Sequence, residues 1–287
     1  HDQHPSLNQT LHTTRGDSVR VALLGDFGLT WPWESLHVEA LAWFDHWLKG
    51  RDTGILDGPR IRYVLPGADG WQSTEQWPPI EAALTPWNLG ADGVLAGKDD
   101  LAADTSGARS YLTLGAGMGA VGARHSDPPS SLQWSSEPLS ADLDVTGAIE
   151  LELRATATAT DTAWIVTLSD EAPDGTITPV TAGFLRASLR TVDDAASRPG
   201  APVLDCRTAV AVPPGDEVRY RIPLVPNARR FAAGHRIHLD VRSDDLRADA
   251  TPIMGFSHAT VGTSSVNSVS AASRLLLPVM PSGAGAS

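Results

Sequence analysis

The stretch from Trp134 to Arg190 constrains this chain more than any other, because its apolar residues recur with a period of two. Ile149, Leu151, Leu153 and Ala155 alternate with Glu150, Glu152 and Arg154, so one face of an extended segment is apolar and the other charged. After a Thr/Ala-rich bend, Trp164, Val166 and Leu168 alternate again and the run ends at Asp174-Gly175. Glycine adopts positive φ at little steric cost, so Asp-Gly predicts a hairpin turn between Ile165 and Val180. A chain organised around such strands folds as a sheet that must bury one face.

Further strands are expected at Val218–Ile222, Ile237–Val241 and Leu275–Val279, with another around Tyr111–Leu114. From Trp87 onward no long helix is legible, and many strands at such spacing predict a β-sandwich. The N-terminal third reads differently. Residues 19–24, VRVALL, form a short apolar run that ends at Gly25, as a buried parallel strand does. A helix follows from about Glu34 to Lys49, with Leu36, Ala40, Trp43, Phe44 and Trp47 at helical spacing and Gly50 just past its end. A second strand covers 61–65. Ser73–Thr85, with Trp77-Pro78-Pro79 inside it, reads as a linker. Asp99–Arg124 and Ala195–Pro202 read as surface excursions, and the tail 281–287 as a disordered end.

Composition excludes some functions. A formal charge of −12 disfavours nucleic acid, whose phosphates need a basic surface. No apolar run approaches the ~20 residues of a membrane span, and the start, HDQHPSLNQT, lacks a signal-peptide layout. These features predict a soluble chain and leave the compartment open. Cys206 is the only cysteine, so no intrachain disulfide exists, and it is expected to be a small buried hydrophobe. Of nine tryptophans, seven fall between Trp31 and Trp87, an aromatic density suited to packing across a domain interface.

Several phrases then occur in a telling order: SEPL, DLDVTG, ATDTAWIVTLSDEAPDG, GFLRASLR and RRFAAGHRIHLDVRSDD. Together they resemble the C-terminal jelly-roll domain of the cocaine esterase and X-prolyl dipeptidyl peptidase family of serine hydrolases. Glu39–Gly50 and Gly58–Trp71 resemble the last helix and strand of the same family's α/β-hydrolase domain. The resemblance implies a mainly β fold: a galactose-binding-like jelly roll over 80–287, preceded by a small α/β remnant over 1–79. It implies hydrolysis of a small ester, amide or Xaa-Pro peptide through a serine ester, without a cofactor. It also implies that the jelly roll covers the active site and that the main partner is the N-terminal α/β-hydrolase portion of the same protein.

Serine-ester chemistry needs a nucleophile on a tight turn, a histidine to take its proton and a carboxylate to orient that histidine. No G-x-S-x-G elbow occurs in the chain. The family's G-P-W-x-H histidine motif falls on Gly25, Asp26, Phe27, Gly28 and Leu29, and leucine carries no proton. The acid position lies at or before the first residue, where Asp2 is the nearest carboxylate. His37, one helical turn into the helix on a line with Leu41, Phe44 and Leu48, is the remaining base candidate; its plainer reading is a packed or half-exposed helix histidine. His46, His125 and His258 read as structural or isolated. His235 and His238 fall on opposite faces of one strand. The N-terminal group His1, His4 and His12 is set aside as a metal site, and the pairs Asp193-Asp194 and Asp244-Asp245 as solvated loop acids. The segment after the GHR strand, where the family carries aromatic and basic residues, keeps Arg247 and Phe256. The reading is a catalytically incomplete C-terminal portion of a serine hydrolase. The alternatives are a non-catalytic galactose-binding-like binding or docking module and a degenerate or truncated product.

Overall fold

Each apolar alternation becomes a strand with one side turned inward. The computed structural model describes residues 21–23, 34–97, 106–113, 131–243 and 264–281. β1 (Val21–Leu23), α1 (Glu34–Lys49), β2 (Ile61–Val64) and β3 (Trp71–Thr74) form a small three-stranded unit, with β1 parallel to β2 and β3 antiparallel to it. Parallel pairing across an intervening helix is the expected strand-helix-strand crossover. Gly50 ends α1 at φ 64°, which lets its N–H reach the His46 carbonyl and the Arg51 N–H reach that of Asp45.

The remaining strands are β4 (Ala83–Leu89), β5 (Leu95–Ala96), β6 (Ala108–Thr113), β7 (Ser131–Ser135), β8 (Leu143–Ala157), β9 (Ala163–Glu171), β10 (Ile177–Arg186), β11 (Val218–Phe231), β12 (Arg236–Arg242), β13 (Ser265–Ser270) and β14 (Arg274–Val279). They join in the order β5-β4-β14-β8-β11-β10-β9-β12-β7, and β13 links β6 to β8. The sheet forks at β8: its first half pairs with β14 and its last residues with β13. On the far side both branches come back to β7, so the sheet rolls up and nearly closes as a jelly roll. The Asp174-Gly175 hairpin joins β9 and β10 as expected, with Gly175 at φ 84°.

The core lies inside the roll. Leu151, Leu153 and Ala155 from β8 meet Trp164, Val166 and Leu168 from β9, with Tyr220, Ile222, Leu239 and Leu275 closing around them. Near the fork the core is polar. Asn267, fully buried, turns the two hydrogens of Nδ2 toward Thr162 Oγ1 (2.9 Å), Ser243 Oγ (3.0 Å) and Tyr111 Oη (3.2 Å), which share them, and its Oδ1 accepts from Ser265 (2.8 Å). Burying an amide requires such partners, because leaving it unpaired costs about 1–3 kcal/mol. A second cluster of Ile61, Tyr63, Leu65, Trp77 and Ala228 pins the small sheet to the roll. Tyr63 and Trp77 meet edge-on at 5.5 Å, and the Arg230 N–H donates to the Pro66 carbonyl (2.9 Å).

Two expectations need correction. Cys206 is exposed, not buried: it sits at φ 53° in the long connection between β10 and β11, off the sheet, so no strand face draws it inward. The stretch 73–85 is not all linker. Ser73 and Thr74 pair in β3, and β4 already begins at Ala83, placing Pro86 opposite Leu276 in the antiparallel β4–β14 pair. Glu150 lies on the charged outer face, as the alternation predicts, but is buried there beneath the connection after β10. β13 was not anticipated, because SVNSVS carries little apolar signal.

Candidate functional site

The sheet order brings together a serine, a histidine and a carboxylate. Ser135 ends β7 directly opposite His238 on β12, and Glu171 ends β9 two residues along the same face from His238's other neighbour, Ser169. The Ser135 hydroxyl donates to Glu171 Oε2 (2.9 Å) and lies 2.9 Å from His238 Nδ1, which is itself 3.5 Å from Glu171 Oε2. The hydroxyl's one hydrogen points to Glu171, so the contact with His238 fits the tautomer in which Nδ1 donates to Ser135 Oγ and Nε2 faces away from the hydroxyl. The neighbouring amides are also committed: Ser135 N–H to the Gly93 carbonyl (3.2 Å) and Ser136 N–H to that of Ile237 (2.9 Å). A serine nucleophile needs a base on its own oxygen and free amides for the oxyanion. This triplet has neither, and its chemistry is that of a clasp at the end of β7. On the other face of β9, Asp170 accepts from Arg229 (2.8 Å) and lies 2.8 Å from His235 Nδ1. His235 and His238 thus serve opposite faces of β9, though His235 lies in the turn just before β12 and not on the strand itself.

A surface cleft of about 520 Å³ lies between the outer face of β8, β11 and β14 and the connection after β10. Its floor is Glu150, whose side chain is wholly buried. Arg221 grips it through two bonds (2.5 and 2.9 Å), and the Gly200 N–H donates a third (3.0 Å). The Glu150 carboxylate holds the Arg221 guanidinium above its ordinary pKa, against burial, which acts to lower it. Glu152 beside it bonds Arg219 (2.7 Å) and Arg274. Burial acts to raise the pKa of Glu152, but the two guanidinium groups together outweigh it and hold the carboxyl below its usual value. These charges satisfy one another and fasten the connection to the sheet.

Of the two site residues proposed from sequence, Asp2 and His37, only His37 lies among the described residues. His37 is exposed on α1, along the line of Leu41, Phe44 and Leu48, which are exposed as well. Asp2, the Gly25–Leu29 motif, His1, His4, His12, His125, His258, the Asp244-Asp245 pair, Arg247 and Phe256 lie outside the described residues. His46 caps the end of α1, its Nδ1 3.2 Å from the Arg51 carbonyl oxygen. Asp193 takes the N–H groups of Ala195 and Ala196 in its own turn. Among the described residues no group of three His, Cys, Asp or Glu side chains is placed to hold a metal, and no helix is long and apolar enough to cross a membrane. Neither the Ser135–His238–Glu171 clasp nor the Glu150–Arg221 pair was read from the sequence. Both join residues 36 to 103 positions apart, and only strand order makes them neighbours.

Residues 53–252 match the model of the X-Pro dipeptidyl-peptidase C-terminal non-catalytic domain. A Mycobacterium bovis protein named as a serine esterase is 31% identical over 226 residues, 72% of this chain but 36% of that protein. The cocaine esterase of Rhodococcus sp. is 26% identical over 244 residues, covering 77% of this chain and 40% of the esterase. The chain thus spans well under half the length of these relatives. In fold it is similar to a CocE/NonD family hydrolase from Staphylococcus aureus, with a TM-score of 0.72 at 18% identity over 86% of this chain and 46% of that one.

Proposed function

Since the chain belongs to the family of the X-Pro dipeptidyl-peptidase C-terminal non-catalytic domain, we propose that it is the C-terminal portion of a serine hydrolase of the cocaine-esterase kind. In this reading residues 1–79 are the trailing part of an α/β-hydrolase domain and 80–287 the jelly roll. The roll packs on the hydrolase and helps shape its pocket, and the N-terminal hydrolase portion supplies the nucleophile. The substrate is a small ester, an amide or an Xaa-Pro peptide.

The observation that carries this reading is the apolar outer face of α1. Leu48 is 77% exposed, Val38 73%, Leu41 60%, Phe44 56% and Trp47 46%, all on one 16-residue helix. A patch of this kind marks a surface built to be covered. Beside it, β1 pairs only with β2 among the described residues, so the small parallel sheet has an edge on which further strands could add. A helix covering a parallel sheet is what an α/β domain requires on each face.

Catalysis in this reading does not come from the chain alone. Leu29 stands where the family's histidine would be, His37 is exposed, and the one Ser–His–Glu triplet among the described residues lacks a base on its serine. Loss of triad members typically costs about 10⁴ to 10⁶ in kcat. The purified chain is expected to leave a p-nitrophenyl ester and Gly-Pro-p-nitroanilide at the buffer rate. Turnover on mixing it with the N-terminal hydrolase portion would show that another group stands in for the histidine that Leu29 replaces. Activity of the chain alone that is stopped by a serine-directed phosphonate and lost in His37→Ala would sink the reading.

A further inference from the structure

The roll closes on β7, but not by a ladder on both sides. β7 pairs along its length with β12, while among the described residues no ladder joins it to β6 or β5. Side chains and one turn hold its other edge. Arg109 of β6 donates from Nη1 to the Gln133 carbonyl (2.5 Å), and its guanidinium lies over the Trp134 ring at 5.0 Å. Trp134, 1% exposed, donates from Nε1 to the Gly90 carbonyl (2.8 Å). The turn at 90–93 accepts the Ser135 N–H at Gly93, and Val94 bridges to Ser135. A Cβ on Gly93 would sit 3.1 Å from Arg109 Nη1, so the turn is shaped around that guanidinium.

A strand edge left without a partner strand must be covered or blocked. Here Arg109 does so together with the 90–93 turn. The arginine caps a β7 carbonyl and stacks on the buried indole where the β6–β13 branch comes back to β7. Arginine suits the role because its planar group donates in-plane and stacks through its face at once. Backbone ladders bind every other join around the β8-β11-β10-β9-β12-β7 and β8-β13-β6 paths, each by three or more residue pairs except β10–β11, where one register pair is flanked by a bulged segment. Among the described residues the β6–β7 join is the one on these paths with no ladder.

We propose that the roll opens first along the β6–β7 seam and that Arg109 is the latch that keeps it shut. Local opening of this type proceeds at a cost below that of global unfolding and is read by amide exchange. Hydrogen–deuterium exchange of the full chain, followed by mass spectrometry, tests it on Arg109→Met and Arg109→Lys. Losing a bond to a charged donor together with its ring contact corresponds to about tenfold or more in a local opening equilibrium. Peptides covering 106–113 and 131–135 are expected to exchange about tenfold faster in Arg109→Met and by less in Arg109→Lys, with 143–157 and 218–231 unchanged. Unchanged exchange at 131–135 in both variants would overturn the proposal. So would an equal acceleration in the β8–β11 ladder, which would make Arg109 an ordinary contributor to global stability. Should Arg109→Met fail to fold, the pattern in Arg109→Lys decides by the same two criteria.

Discussion

The buried and half-buried ion pairs of the outer sheet face show how single residues tie a long connection down. Glu150 is held by three donors from β11 and from the loop after β10, so its burial leaves no lone charge. Removing one partner of such a pair costs more than the pair contributes, because the other charge stays buried. Glu152 is only partly covered, and its effect is read through pH. Its folded pKa lies below the ordinary 4.5, so the folded state binds a proton less readily than the unfolded one. Its stabilisation is complete above about pH 4.5 and is lost as pH falls through the lowered folded value. Urea midpoints taken from pH 6 down to pH 3 are expected to fall less steeply in Glu152→Gln than in the unaltered chain. Equal slopes would mean that Arg219 and Arg274 give Glu152 no net preference for its charged form.

Among the elements, β8 depends on one glycine. Gly147 lies at φ 135°, and a Cβ there would come within 2.7 Å of Pro78 Cβ and 3.3 Å of Pro278 Cβ. Both the backbone angle and the close approach demand glycine, and the partner strand β11 shifts register at the same level, between Leu224 and Asn227. Gly147→Ala must either strain the backbone or push Pro78 off β8, at a cost of about 1–3 kcal/mol. The thermal midpoint is expected to drop by several degrees, whereas Gly175→Ala, with nothing within 4 Å of its Cβ, should show only the positive-φ penalty. A Gly147→Ala variant as stable as the unaltered chain would show that the loop carrying Pro78 yields freely.

For the whole molecule, the question is whether the small sheet and the roll unfold together. Their shared cluster is small, and Trp77, 6% exposed, is its largest member. Trp77→Ala removes an aromatic worth about 3–5 kcal/mol when buried and loosens the attachment. Calorimetry of the variant is expected to resolve an early transition for the small sheet ahead of the roll's main one. A single transition, merely shifted down, would mean that the Arg230–Pro66 bond and the remaining contacts keep the two as one cooperative unit.

Period-two alternation placed the β8 and β9 faces, and Asp174-Gly175 placed their hairpin, because these are local rules of strand geometry and turn sterics. Helical spacing and Gly50 delimited α1 for the same reason. The order of phrases along the chain was enough to suggest the family. Other features were decided by tertiary structure alone. Glu150 is buried because a loop some fifty residues away folds over it. Ser135 meets His238 and Glu171 because β7, β12 and β9 lie side by side. β13 stands as a strand because Asn267 finds its partners in the core, a reason that no local pattern of SVNSVS contains. Arg109 becomes the fastening of the roll only once the sheet has curled far enough to bring β6 against β7. Local sequence sets which face of a strand is apolar; which strands become neighbours depends on how the whole sheet buries that face.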